Sequence, residues 1–316
     1  MPQPISNLLV GAKVKSPDTK YNGVPIIWLI GHKTADRVKL ITEKIITLKC
    51  VDAKEPSNSN TDRRNYGNNR YSQSNIDQWL NSAAGAGAWY SKRHDYDAPP
   101  TNANVSSNHY DAEAGFLSNF EEAFRNAILD TTIRVVKNTV TDGGGYEDIT
   151  RKVYLLSNTE VGLSNENGIA EGSKWSLFSD NNSRKAYPTA EAVLRSEYTS
   201  GSLNASSPWF WWLRTPDANN SHCPRLVYTD GSVGNDYACD GHRGVRPALE
   251  LDSGILVSDT SDTDGAYIIQ WWTPPSIYPR ISGVSRSYAD GAVKIGGVWR
   301  TIDEVHTRIG GVWRKS

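Results

Sequence analysis

Four consecutive aromatic residues, Trp-Phe-Trp-Trp at 209–212, open a stretch that closes on Gly-Val-Arg-Pro-Ala at 244–248. Rings this large bury much surface, so we expect at least two of the four in the core. Alternation along a strand would turn two rings inward and two outward. The remaining rings then have an alternative role as a stacking platform for sugars or bases. Trp211, Trp212 and Leu213 are accordingly predicted as a core strand.

The residues that flank this stretch predict a rigid frame. Arg214 and Arg246 are candidates for buried bidentate ion pairs with nearby carboxylates. Pro216 and Pro247 fix φ where the chain turns. A rigid frame lowers the ordering cost of any ligand binding between the two flanks.

Charge and hydropathy exclude several classes of protein. The net charge is -1, with 34 basic and 35 acidic residues, which argues against a general nucleic-acid binder. No stretch approaches the ~18 apolar residues of a membrane span. The first residues lack the basic start and apolar core of a signal peptide, so an extracellular location would follow release by lysis.

Short apolar runs alternate with turn residues along most of the chain. This pattern predicts an α+β fold with short mixed or antiparallel strands, two main helices and many loops. One helix is expected within 72–83, after a Ser or Asn cap. The other is expected within 115–136, where Ser118 and Glu121 have the spacing of a capping box and a strand follows.

The C-terminal part differs from the rest. Acidic turns and a Pro-Pro break indicate a domain edge, so we divide the chain into a main domain, 1–272, and a small β-rich tail, 273–316. The tail repeats Ile-Gly-Gly-Val-Trp-Arg at 295–300 and 309–314. Gly-Gly before an aromatic strand predicts a hairpin in each copy.

Catalytic patterns are missing from the sequence. The six histidines have no metal-binding spacing, and no nucleophile elbow, phosphate loop or dinucleotide fingerprint occurs. Cys223 lies beside His222, but neighbours in sequence rarely form a nucleophile–base pair. The three cysteines include no Cys-x-x-Cys; free thiols are favoured over a Cys223–Cys239 bridge. We predict a protein that is not an enzyme.

A metal site has one weak candidate. The segment 259–265, Asp-Thr-Ser-Asp-Thr-Asp-Gly, resembles a calcium loop, but Thr260 and Trp271 occupy positions that need acidic ligands. A structural calcium ion is left as an alternative to an exposed acidic turn. No other cofactor or metal is expected.

The stretch 215–243 contains no Lys, Glu, Gln, Met or Trp. Its side chains are mostly short, polar or aromatic, and such side chains make contacts at low entropy cost, as in antibody loops. The alternative is turn formation alone, which also favours Asn, Asp and Gly. The predicted ligand-binding residues are Asp217, Asn219, Asn220, His222, Tyr228, Asn235, Asp236, Tyr237, Asp240, His242 and Arg243.

Two motifs of the chain resemble those that characterise a family of phage and Firmicute proteins of unknown biochemical activity. They are Trp-Trp-Leu-Arg-Thr-Pro at Trp211–Pro216 and, after it, Gly-Val-Arg-Pro-Ala. Upstream segments at 21–30, 70–82, 120–128 and 152–161 occur in the family's order. That family is similar to the C-type-lectin-like fold of formylglycine-generating enzymes and of diversity-generating-retroelement variable proteins.

The resemblance implies a phage tail-associated or prophage surface receptor-binding protein, or adhesin, placed in the virion or outside the cell after lysis. The implied partners are a bacterial cell-surface protein or glycan and other virion or tail proteins. Self-association into a homo-oligomer stays open; nucleic acid and membrane insertion are not implied.

The alternatives are a purely structural virion protein and a formylglycine-generating-type enzyme. The enzyme needs a dedicated cysteine copper site for which no motif matches. Retroelement variable regions usually end the chain, so diversification of 215–243 is not implied.

Overall fold

A computed structural model describes residues 2–271 and, further along, six short strands between residues 280 and 315. The chain divides into two compact units, Met1–Gln270 and Trp271–Ser316. The sequence prediction places this boundary after residue 272. The Pro-Pro break, Pro274 and Pro275, lies outside the described residues.

The first unit is a mixed α+β structure made mostly of strands. Its strands are β1 Gln3–Pro4, β2 Lys13–Tyr21, β3 Val24–Lys33, β4 Arg37–Thr42, β5 Thr47–Leu48, β6 Thr131–Val136, β7 Tyr146–Arg151, β8 Val153–Tyr154, β9 Trp211–Pro216, β10 Pro224–Val227, β11 Val233–Asn235, β12 Gly244–Val245, β13 Ala248–Asp252, β14 Leu256–Ser261 and β15 Ala266–Gln270. Its α-helices are α1 Thr61–Tyr66, α2 Asn75–Leu80, α3 Glu122–Ala127, α4 Asn181–Arg184 and α5 Ala190–Leu194. Single 3-10 turns are Ile5–Asn7, Tyr71–Gln73 and Phe116–Asn119.

The prediction of two main helices is wrong. The described residues contain five α-helices of four to six residues each, and none dominates. The helix predicted within 72–83 is confirmed as α2, capped by Ser74, whose hydroxyl accepts from the Asp77 amide at 3.3 Å. An additional helix, α1, lies where the sequence shows only turn residues. The Asn60 side chain caps it by accepting from the Arg63 amide at 3.0 Å.

The predicted capping box at Ser118 is wrong. The Ser118 hydroxyl donates to the carbonyl of Gly115 at 2.6 Å, within a 3-10 turn, and α3 begins only at Glu122. The Glu121 carboxylate accepts from the Ser16 hydroxyl of β2 instead of the helix start. A contact between distant segments therefore replaces the local capping pattern.

Two sheets organise the first unit. One has eight strands in the order β1-β14-β15-β2-β3-β4-β13-β8, and the other has five in the order β11-β10-β9-β12-β5. The pairs β15–β2 and β12–β9 are parallel, and the other named pairs in these sheets are antiparallel. Strands β6 and β7 form a separate ladder. The Gly-Val-Arg-Pro-Ala segment runs from β12 in the five-stranded sheet to β13 in the eight-stranded sheet, so it ties the two sheets together.

Tryptophan rings dominate the core, as the aromatic composition predicts. The fully buried members are Trp28, Trp79, Trp175, Trp211 and Trp212. Of the four consecutive aromatic residues, only Phe210 is half-buried, so the expected alternation of two inward and two outward rings is wrong. Strand β9 lies third in its five-stranded sheet and every residue of it is buried, which means that both of its faces are covered.

The described residues of the second unit form three two-stranded ladders. Their strands are β16 Arg280–Ile281, β17 Val284–Ser285, β18 Ala292–Ile295, β19 Val298–Thr301, β20 His306–Ile309 and β21 Val312–Lys315. The last two ladders hold the sequence repeat, and their pairing is identical: Ile295 pairs with Val298, and Ile309 pairs with Val312. This confirms the predicted hairpins, whose Gly-Gly turns lie outside the described residues.

Candidate ligand-binding face

The strand that leads into the predicted ligand-binding stretch is held by a buried arginine. Arg214 Nη1 lies 2.5 Å from Glu160 Oε2 and donates to the Leu155 carbonyl at 2.8 Å. Its Nη2 donates to the carbonyl of Glu171 at 2.7 Å. The ion pair predicted for Arg214 is therefore present, with one carboxylate oxygen in contact and backbone carbonyls taking the other donors.

The strand that leaves the stretch is held differently. Arg246 is almost fully buried, and its guanidinium donates to the backbone carbonyls of Thr42 at 2.9 Å and Glu43 at 3.4 Å. The group lies 5.1 Å from the Trp211 ring. The prediction of a carboxylate partner for Arg246 is wrong. Backbone carbonyls at the end of β4, and not a carboxylate side chain, accept from the guanidinium. Burial lowers the pKa of Arg246 to about 10.

Asn69 fixes the backbone at the start of the stretch. Its buried side-chain amide donates to the carbonyls of Asp217 at 3.2 Å, Asn220 at 2.9 Å and Cys223 at 3.2 Å. Asn220 Oδ1 in turn accepts from the backbone amides of His222 and Cys223 at 3.1 and 2.7 Å. Hydrogen bonds from the side chains of Asn69 and Asn220 therefore hold the backbone of the loop from 217 to 223.

One predicted residue, Asp217, acts mainly within the protein. Asp217 is buried, and its carboxylate lies 3.2 Å from Arg225 and accepts from the Asn235 side chain. Because Arg225 belongs to β10 and Asn235 ends β11, this group ties the β10–β11 hairpin to the preceding loop. The other ten predicted residues are half-buried or exposed. We call the surface that these ten form, within 219–243, the loop face.

A cluster of three rings forms one part of the loop face. Tyr237, 41 % exposed, stacks on Tyr66 with ring centroids 4.1 Å apart. His222 lies 5.2 Å from the Tyr66 ring and 5.7 Å from the Tyr237 ring. Tyr66, the last residue of α1, was missed by sequence reasoning, since it stands alone in a turn-rich segment. Burial lowers the pKa of His222, which favours the neutral ring.

Charged residues form the adjoining part. Arg243 Nε donates to Asp236 Oδ2 at 2.7 Å. Candidate ligand atoms of Asp236, Asp240 and His242 lie within 4.8 Å of one another, and no other group of this kind occurs in the described part of the chain. These three residues have the donor types for a divalent cation, although Arg243 already engages Asp236. Burial, with the neighbouring charge of Asp236, raises the pKa of Asp240 to about 6. Burial, with Arg243, lowers the pKa of His242 to about 4.

The third part of the loop face is aromatic. The Tyr228 ring meets Phe210 edge-on, with centroids 5.4 Å apart. His242 stacks on Tyr198 at 4.6 Å, and Trp209 donates its ring N–H to the His242 carbonyl at 2.9 Å. Tyr198, in the segment after α5, is a second residue that sequence reasoning missed. No local periodicity points to it.

Burial disfavours the thiolate form of the cysteines. All three are free and buried, so the bridge between Cys223 and Cys239 is not formed. Burial raises the pKa of both these thiols to about 12, and the thiolate that a nucleophile or a metal ligand requires is therefore disfavoured.

The acidic turn proposed as a calcium loop engages a lysine. Lys15 Nζ lies 3.0 Å from the Asp262 carboxylate and 2.5 Å from that of Asp264. These contacts tie the turn between β14 and β15 to β2 in the interior of the large sheet.

The helices among residues 2–271 are all too short to cross a bilayer. A search of the curated proteins returns no match, and a search of the solved structures returns none either. A family model described as "Domain of unknown function (DUF6273)" matches residues 36–253. This span covers most of the chain and runs from β4 to β13, so it contains the whole loop face and both flanking strands. The chain therefore belongs to the DUF6273 family.

Proposed function

We propose that this protein is a receptor-binding protein, or adhesin, of a phage tail or prophage surface, and that it binds a bacterial cell-surface ligand through the loop face. On this proposal the first unit is a C-type-lectin-like scaffold and carries out no catalysis. The motif resemblance in the sequence supplies the biological setting. The geometry of the loop face supplies the physical support.

One observation carries the proposal: the backbone of the loop face is held by buried hydrogen bonds, while its side chains are half-buried or exposed. Asn69 holds three carbonyls of the 217–223 loop, and Arg214 anchors the strand before it. Since the backbone is already ordered, the protein loses little conformational entropy when a ligand binds. Tyr, Asn, Ser and Gly, which recur in the stretch 215–243, are residues typical of adaptable binding loops.

A binding assay on whole cells tests the proposal. Fluorescently labelled protein is incubated with a panel of bacterial strains, beside a variant in which Tyr228, Asp236, Tyr237 and His242 are all alanine. We expect the wild-type protein to bind some strains and the variant to lose that binding, with thermal unfolding showing that the variant is folded. Equal binding by both proteins would show that the loop face is not the receptor site.

A second candidate function, structural decoration of a virion, is favoured by the second unit. Its last two hairpins repeat the same pairing fourteen residues apart, and such a tandem pair suits repeated contacts with an assembly partner. Deleting residues 292–316 and measuring the oligomeric state by light scattering separates the roles. Loss of assembly with retained cell binding would assign assembly to the tail and recognition to the first unit.

A further inference from the structure

The loop face borders an open groove of about 820 Å³ that includes residues outside the stretch 215–243. Tyr198, Trp209, Phe210 and Arg243 are among the residues that line it. We infer that this groove binds a carbohydrate chain, so that the receptor is a cell-surface glycan rather than a protein. This inference rests on the proposed function and narrows it to one class of ligand.

The first argument is a continuous row of rings. His242 and Tyr198 are stacked at 4.6 Å, Tyr198 lies 6.2 Å from Trp209, and Trp209 lies 5.4 Å from Phe210. Tyr228 extends the row, 5.4 Å from Phe210. Four of these five rings are half-buried, and Trp209 is buried. A sugar ring presents a face of C–H groups, and an aromatic surface that is only partly covered is what such a face packs against.

The second argument is the chemistry of the rim. The groove is also lined by the hydroxyls of Ser202, Ser207 and Thr229 and the side-chain amide of Asn204. Hydroxyls and amides both donate and accept hydrogen bonds, and they therefore match sugar hydroxyls, which also do both. They are short side chains, so ordering them costs little entropy.

The third argument concerns charge and shape. The formal charges in the groove nearly balance: Lys185 faces Asp230, while Arg243 is neutralised by Asp236. None of the residues that line the groove, within the described part of the chain, is Leu, Ile, Val or Met. The core of a protein interface is fully desolvated, whereas this groove is open and polar at its edges. A polymer with hydroxyl groups along its length fits an open groove better than a small molecule that must be enclosed.

Chemical treatment of the cells distinguishes the two receptor classes. Strains that bind the labelled full-length protein are oxidised with periodate, which cleaves vicinal diols of sugars, or digested with proteinase K. Polysaccharide released from the same strain by mild acid serves as a soluble competitor. The inference predicts that periodate abolishes binding, that proteinase K does not, and that the polysaccharide competes.

Variants place the glycan in the groove. Tyr198→Ala and Tyr198→Leu should weaken binding up to about tenfold, since one aromatic contact is worth roughly that factor. Thr229→Ala, which alters the rim and no core contact, should weaken it by a smaller factor. Tyr96→Ala is the matched control, because Tyr96 is 40 % exposed and does not line the groove. Thermal unfolding of each variant separates loss of folding from loss of binding.

Each other outcome has a defined meaning. Binding that survives periodate and is lost to proteinase K overturns the glycan inference and leaves the receptor-binding proposal standing. Periodate-sensitive binding that neither the Tyr198 nor the Thr229 variants reduce overturns the assignment to this groove. Failure to bind any strain overturns the proposed function together with this inference.

Discussion

The carboxylate of Glu160 and the guanidinium of Arg214 lie 2.5 Å apart, and neither side chain is more than 4 % exposed. Glu160 belongs to the segment after β8, while Arg214 lies in β9, so the pair joins an irregular segment to the centre of the five-stranded sheet. Removing one member of a buried pair leaves the other charge without compensation. Since β9 leads into the loop face, the pair couples the stability of the five-stranded sheet to the position of the loop face.

Glu160→Gln should lower the free energy of unfolding by about 3 to 5 kcal/mol, because the buried Arg214 guanidinium would lose the carboxylate in direct contact with it. Chemical denaturation measures this difference. Asp148→Asn is the control: Asp148 pairs with Arg134 in an exposed ladder, where a pair is worth less than about 1 kcal/mol. A Glu160→Gln effect no larger than that of the control would contradict a structural role for the pair.

Gly241→Ala should destabilise the protein by about 1 to 3 kcal/mol. A Cβ at this position would lie 1.7 Å from the backbone carbonyl oxygen of Ser107, so one of the two chain segments must shift. Gly201→Ala is the matched control, since open space surrounds that position. Differential scanning calorimetry of both variants tests the contact, and equal melting temperatures would show that the two segments are not closely packed.

The thiols of Cys223 and Cys239 should resist alkylation in the folded protein. Both are at most 6 % exposed, and burial holds the pKa of each near 12, so little thiolate forms at pH 8. Mass spectrometry after iodoacetamide treatment should show no modification at these positions, and full modification of all three cysteines once urea is added. Failure of the unfolded, unreduced chain to react at Cys223 and Cys239 would indicate a disulfide.

Asp240→Asn should stabilise the protein at pH 7 by about 2 to 3 kcal/mol. The pKa of Asp240 rises from 3.8 to about 6 on folding, so above pH 6 the folded state carries a charge that the site disfavours, and each pKa unit corresponds to about 1.4 kcal/mol. The folded protein binds the extra proton between about pH 4 and 6, and the penalty grows through that window as the pH rises.

Denaturation curves at pH 7 and well below pH 3.8 check the sign of this effect. Well below pH 3.8 the Asp240 carboxyl is protonated in both states, and the difference between variant and wild type should disappear. The shift of His242, whose pKa falls to about 4, works in the opposite direction. A constant difference at both pH values would contradict the raised pKa of Asp240.

The sequence alone predicts those elements that are stabilised by contacts between neighbouring residues. Helix α2 follows its Ser74 cap, and the Asn22-Gly23 turn, with φ of 51° and 81°, joins β2 to β3 as the sequence indicates. The tandem hairpins of the tail follow from the Gly-Gly repeats in the same way. Strand β9 was predicted too, because its aromatic residues have no stable place outside a core.

Contacts between distant segments could not be predicted from one sequence. The supposed cap at Ser118 failed because β2 engages Glu121, about a hundred positions away. Arg246 takes its partners from the backbone of residues 42 and 43, and backbone carbonyls leave no signature in a sequence. Tyr66 and Tyr198 join the loop face and the groove only through tertiary packing, so the composition of 215–243 revealed one side of the site and not the other.

The order of strands in the large sheet has a practical consequence for engineering. Strand β1 pairs with β14, and β15 pairs with β2, so the first and last strands of the unit Met1–Gln270 meet in one sheet while the loop face belongs to the other. Domains whose ends are neighbours tolerate circular permutation and insertion into host proteins. This unit can therefore be grafted as a cassette through two short linkers that join one sheet, while the loop face belongs to the other.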